Sequence, residues 1–188
     1  VSHPCTMDYH INEFPWEDVM HRAVRQGYRS HQTSTCGLHL HVNRNTFSDN
    51  QEEQDEVISR ILYFVEHHWN ELLKFSRRSE YAMNRWAARY GYEHTPKAIM
   101  DKAKKGGNGR YAAVNLCNYH TVEFRLFRGT LKYNTFIATI QLVNHICDAA
   151  MYNTDDSIAK LSWSDFVADI TEPELIQYLK ERQLYIND

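Results

Sequence analysis

The sequence predicts an α+β domain: an open, mainly antiparallel sheet with helices packed on one face. Three observations carry this expectation. Two short segments far apart in the chain, "CGLHLHV" at 36–42 and "TVEFRLF" at 121–127, alternate aliphatic and ionisable residues with a period of two, as half-buried strands do. Longer segments before, between and after them repeat apolar residues at helical spacing. A content of 43% hydrophobic and 24% charged residues in 188 supplies one full core.

Taken in order, Pro15 followed by "WEDVMHRAVRQGY" has an acidic first turn and closes on a glycine, which predicts a helix from about Trp16 to Gln26. "TCGLHLHVN" follows as a strand, with Gly37, His39 and His41 on one side and Cys36, Leu38, Leu40 and Val42 on the other. Ser48 with Gln51 three residues on, and Glu52 and Glu53 at the positive helix end, open a long helix expected to reach about Phe75. Ile58, Ile61, Leu62, Val65, Trp69, Leu72 and Leu73 form its packing stripe and leave the charged remainder to solvent. The aromatic run "YAMNRWAARYGY" reads as packing.

A helix is expected around Ala98 to Lys105, before a glycine-rich, basic loop at Gly106 to Gly109. "RYAAVNLC" and "TVEFRLF", joined by "NYH", read as an antiparallel hairpin. Val122, Phe124 and Leu126 then share one face, and Thr121, Glu123, Arg125 and Phe127 the other. A helix from about Thr135 to Tyr152 carries Phe136, Ile140, Val143, Cys147 and Ala150 on one stripe. The last helix follows Thr171, with Glu174 completing a capping box and Pro173 in the first turn. No repeat or Pro/Gly/Ser linker interrupts the chain, so residues 1–188 read as a single domain.

Several function classes are disfavoured. Lysine and arginine total 21 against 24 acidic residues, a net charge of −3, which does not advertise nucleic acid; the basic "KAKKGGNGR" loop reads as solvated or phosphate-directed. No apolar run approaches the roughly 18 residues of a membrane span, and no signal-peptide pattern opens the chain, so no membrane partner and a cytoplasmic location are expected. Cys5, Cys36, Cys117 and Cys147 lack any C-x-x-C spacing, which argues against a zinc ribbon or disulfide framework and predicts buried thiols. Most of the 11 histidines, His31 among them, sit in no ligand spacing, and the neighbours His67 and His68 cannot share a helix face.

If the two strands share a sheet whose aliphatic side the helices cover, His39, His41, Glu123 and Arg125 meet on the uncovered face. Histidine with carboxylate suits a divalent cation, and an arginine beside them suits bidentate binding of a carboxylate or phosphate. Arg110, just after the glycine loop, is a second phosphate candidate. Each pair alone is weak evidence, because histidines and ion pairs also decorate half-exposed sheets; only the combination points to a site. A zinc hydrolase built on His39 and His41 would need further histidines and an aspartate at strand ends, and a longer chain for a barrel.

The ordered blocks "GLHLHV", "GRYAAVNL" and "TVEFRLFRGTL" resemble the amidoligase family, carboxylate-amine ligases related in fold to glutamine synthetase and glutamate-cysteine ligase. The likeness runs from "VSHP" to about Tyr152. It implies a glutamine-synthetase-like fold in which an antiparallel sheet holds magnesium or manganese, and ATP phosphorylates a carboxylate that an amine then attacks, forming an amide or isopeptide bond through an acyl phosphate. Matched residue by residue, His39 and Glu123 resemble the cation ligands, Arg125 the arginine that grips the acid substrate, and Arg110 the arginine on the transferring phosphate. His41 falls near the substrate, and Asn115 stands at a phosphate-contacting position that glutamine synthetase gives to arginine. The implied partners are a small-molecule or peptide carboxylate and an amine.

The family's opening strand, with its E-x-E carboxylate pair, has no counterpart in these residues. The resemblance therefore implies the C-terminal part of a longer protein, with an N-terminal segment as partner and no turnover by these 188 residues alone. The alternative is a non-catalytic binding module that keeps the fold and one ion site. On the ligase reading, Glu123→Gln in the full-length enzyme is expected to lower turnover by orders of magnitude with little effect on folding.

Overall fold

A computed structural model describes residues 2–30, 33, 36–107 and 109–185. His31, Thr35 at the start of the expected strand, and Asn108 in the glycine loop lie outside the described residues. The helices are α1 (Trp16–Arg25), α2 (Gln51–His67), α3 (Trp69–Ser76), α4 (Glu80–Trp86), α5 (Pro96–Lys104), α6 (Tyr133–Tyr152), α7 (Asp155–Lys160), α8 (Trp163–Ala168) and α9 (Pro173–Glu181). The strands are β1 (Gly37–Asn43), β2 (Val114–Asn115) and β3 (Thr121–Arg128), in the order β1-β3-β2 and antiparallel throughout. The fold is α+β, 59% helical, with a small open sheet and helices packed around it.

The sheet's two faces follow its alternation. On β1 Leu38, Leu40 and Val42 turn toward the core while His39, His41 and Asn43 are exposed. Val122, Phe124 and Leu126 of β3 are fully buried beneath α2, α3 and α6, and Ile58, Ile61, Phe64, Leu72, Leu142 and Ile146 close over them. The polar face of the sheet is left for the site.

One expectation about β3 is corrected. Phe127 was placed with Glu123 and Arg125, yet it is 1% exposed and packs edge-to-face on Phe75. The ladder explains this: Leu40 pairs with Phe124 and Leu38 with Phe127, so two residues of β3, Arg125 and Leu126, stand opposite His39 alone. This bulge resets the alternation beyond it, putting Leu126 and Phe127 both inward. Of the expected strand "RYAAVNLC" only Val114–Asn115 is a strand; Gly109–Tyr111 is a 3₁₀ turn, and Ala112 makes a parallel bridge with Ala88.

The expected single helix from Ser48 to Phe75 is two helices. Its cap is Asn50, whose side chain accepts from the amides of Glu52 and Glu53, while Ser48 donates to the Glu53 carboxylate. Between α2 and α3, His68 leaves helical geometry (φ −102°, ψ 32°), buried with its ring nitrogen 3.1 Å from the Leu161 carbonyl. The apolar repeat runs through the break, so periodicity alone could not reveal it. Glu66 is also an exception to the solvated face: it is buried, bound by Arg89 and by the amide of Tyr90.

The Thr171–Glu174 capping box does not form, because Glu174 instead accepts from Gln141 of α6 and the helix begins at Pro173 after Glu172. Three of the four free thiols, Cys5, Cys36 and Cys117, are exposed rather than buried. Only Cys147 is inside the core, where burial pushes its pKa up to about 12. Among the described residues no helix is long and apolar enough to cross a membrane.

His68 makes stability depend on pH. Burial, with the neighbouring His67 adding to it, lowers its pKa from 6.5 to about 4. Between those values the unfolded chain binds the proton that the folded chain refuses, so stability rises with pH across the window and is lost on acidification. The full loss is roughly 3 kcal/mol. His68→Gln keeps a donor for Leu161 and cannot titrate, so urea midpoints from pH 7 to pH 4 should flatten in that variant. Coincident slopes for the two proteins would remove His68 as the cause.

Candidate functional site

Glu123 is the hub of the polar face. It is 5% exposed and ladders between His41 of β1 and Asn115 of β2, which brings three strands' side chains to one carboxylate. Its Oε1 lies 2.7 Å from Arg125 Nη1, 3.0 Å from His39 Nδ1 and 3.6 Å from His41 Nε2. Its Oε2 accepts from Asn115 Nδ2 at 2.6 Å and from Asn118 Nδ2 at 3.3 Å. Arg125 Nη1 is also 3.3 Å from His39 Nδ1, and His41 Nδ1 is 3.0 Å from the Thr121 hydroxyl. Alternation sets Arg125, two residues after Glu123, on this face, and the bulge begins there, with Arg125 and Leu126 both opposite His39.

A second layer surrounds the hub. Arg110 is exposed at the rim, donates to the Tyr111 hydroxyl at 2.8 Å and lies 5.0 Å from that ring; Arg125 lies 5.7 Å from the same ring. Tyr111 thus holds both guanidiniums through cation–π contact. At the other end, Gly37 is needed for close approach: a Cβ there would collide with the Arg78 guanidinium and come within 2.9 Å of His39 Nε2.

Charge follows from this packing. Burial pushes the Glu123 pKa up, but the Asn115 hydrogen bond and the charge of Arg125 outweigh it, so the carboxyl sits below its ordinary value and is ionised at neutral pH. Burial lowers the His39 pKa, Arg125 lowers it further, and the attraction of Glu123 does not compensate, so the imidazole is neutral. The Tyr111 hydrogen bond raises the Arg110 pKa and keeps its charge permanent. The result is a carboxylate and two imidazoles enclosed by the guanidiniums of Arg110, Arg125 and Arg78.

Residues 1–147 match the family model described as "Putative amidoligase enzyme". The chain belongs to this family. The matched region contains all three strands and most of α6, and with them every residue of the site. Membership in the amidoligases gives the chain a ligase role in general terms. No curated protein and no solved structure matches it.

Of the amidoligase residues expected from the sequence, His39, His41, Glu123 and Arg125 meet as foreseen, and Arg110 stands at their edge. Asn115 is engaged within the site itself. It is buried, donates to Glu123 and accepts from the Cys117 amide at 2.9 Å, so its amide orients Glu123. Asn118, Tyr111 and Arg78 were missed, and Thr121 was placed on this face without a role. Tyr111 and Asn118 lie inside or beside the quoted blocks and were within reach of a closer reading; nothing in the sequence near Arg78 ties it to residue 37.

Magnesium finds little to hold in this arrangement. It prefers about six oxygens, commonly from one or two carboxylates together with water and phosphate. Among the described residues no group of three or more His, Cys, Asp or Glu side chains could hold a metal. Glu123 is already paired with Arg125, and His39 stands between two guanidiniums. Of the expected His39–Glu123 cation pair, the Glu123 Oε1 atom is ion-paired with Arg125 here, and Oε2 accepts from the amides of Asn115 and Asn118. What the arrangement does present is fixed positive charge, suited to oxyanions.

Proposed function

We propose that the chain is the acid- and phosphate-binding part of an ATP-dependent carboxylate-amine ligase with a glutamine-synthetase-like reaction course. The observation that supports this most is Arg125, fixed at 2.7 Å on the buried Glu123 with Arg110 nearby on Tyr111, in a member of the amidoligase family. In this reading ATP, which travels with magnesium or manganese, is the phosphoryl donor. Oxygen of the acid attacks the γ-phosphorus, the bond to the bridging oxygen breaks, and ADP leaves. The amine nitrogen then attacks the acyl carbon, phosphate departs with the C–O bond, and one proton goes to solvent.

The residues of this chain position charge during those steps. Arg125 holds the acid's carboxylate and Glu123 fixes Arg125 in place. Arg110 meets the negative charge of the transferring phosphoryl group, where arginine is most effective in phosphoryl transfer. His41, exposed beside Thr121, borders the substrate.

Calorimetric titration of ATP with magnesium tests the reading. Binding is expected, and Arg110→Ala should weaken it about tenfold, the loss of one charge-assisted contact at an exposed site. If neither this chain nor the chain extended by its N-terminal segment binds nucleotide, the ATP-dependent mechanism fails, and a non-catalytic binding module that keeps the anion site takes its place.

A further inference from the structure

A cavity of about 460 Å³ opens where the turn between α3 and α4, the end of β3 and the residue after α9 meet. Lys74, Arg77, Arg78, Arg128 and Arg182 line it, and none of its lining residues is acidic. In a chain of net charge −3, five of the 21 lysines and arginines face one space. Like charges brought this close repel.

The side chains are held there by neutral groups. Arg182 donates from Nε and Nη2 to the Lys74 carbonyl at 3.0 and 2.8 Å, and Lys74 Nζ donates to the Gln183 carbonyl at 3.1 Å. Arg77 occupies the left-handed backbone region at φ 59°, uncommon for a residue with a side chain. None of these bonds cancels a positive charge. The cavity also adjoins the candidate site: the Arg78 guanidinium fills the space over Gly37, and Arg128 pairs with Gly37 in the β1–β3 ladder.

We propose that this cavity binds an oxyanionic ligand group, a phosphate chain or a cluster of carboxylates, beside the Glu123 site, with which it shares the Arg78 guanidinium. Guanidinium groups match the geometry of both oxyanions. The volume suits a small-molecule group, since ligand clefts run from about 300 to 1,000 Å³. Ligase chemistry is not required for this binding, so the proposal stands or falls on its own.

The test titrates tripolyphosphate and triglutamate into the chain by calorimetry. At least one should bind, and which one does identifies the source of the oxyanion. Lys74→Gln with Arg128→Gln should weaken binding by about tenfold or more. Ser79→Asp is the second variant: Ser79 lines the cavity and caps α4 through the Ala82 amide, a role aspartate also fills, so its carboxylate should compete with the ligand while the fold is kept. Absence of binding by both probes, or wild-type affinity in the Ser79→Asp chain, would overturn the proposal. Neither result touches the ligase reading, which is tested by ATP and Arg110.

Discussion

In the full-length enzyme Glu123→Gln is expected to lower turnover by about 10²-fold or more, and in this chain to destabilise the fold by roughly 1–3 kcal/mol. The substitution keeps the shape and removes the charge. Arg125 then faces an amide where it had a carboxylate oxygen at 2.7 Å, with Arg78 and Arg110 close by and no other anion among the site's described side chains. A buried ion pair broken from one side leaves the other charge uncompensated, which costs more than the pair itself contributed. Some of that cost is relieved because the Arg125 side chain keeps 14% of its exposure. These contacts add a stability loss to what the sequence led one to expect, which was loss of activity with folding nearly intact.

The same variant has an acid signature. The folded Glu123 pKa lies below its ordinary 4.5, so its stabilisation is complete above that value and is lost as pH falls through the lower folded pKa. Glu123→Gln should therefore be less stable than wild type at pH 7 and converge toward it in acid. Urea midpoints at neutral and acidic pH measure this, and ADP release with an accepted acid and amine measures turnover. Wild-type turnover would take Glu123 out of the mechanism, and equal midpoints at pH 7 would mean that its contacts contribute nothing net.

The centre of this site was legible because a strand alternates with a fixed period. Once Leu38, Leu40, Val42, Val122, Phe124 and Leu126 are recognised as one greasy face, His39, His41 and Glu123 must share the other. Arg125 was assigned correctly by the same rule, but the rule failed two residues later at Phe127. A bulge depends on the partner strand's register, and no local pattern in "VEFRLF" announces it. Similarly, the break at His68 is set by a carbonyl 93 residues away, at Leu161. Arg78 reaches Gly37 only because α3 ends where it does. Composition did not reveal the exposed cysteines, since a thiol's burial is decided by which loop it occupies.

Arg125→Lys tests whether geometry or charge grips the acid. Lysine restores one positive charge, and it loses both the planar fork and the stacking near Tyr111. If the fork is what a substrate carboxylate meets, kcat/KM of the full-length enzyme should fall by about 10²-fold, mostly through KM, because the contact is made in the ground state and the transition state alike. Arg125→Met should be worse still. Equal kcat/KM for the lysine variant and wild type would show that a point charge suffices. A second readout separates this role from mere packing. Arg125 is, after burial, the main influence holding the His39 pKa down, while Glu123 pulls it up. Removing the guanidinium in Arg125→Met leaves Glu123 in place, so the His39 titration followed by NMR should move upward, toward its ordinary value. An unchanged His39 titration would mean that Arg125 does not set the electrostatics of this face.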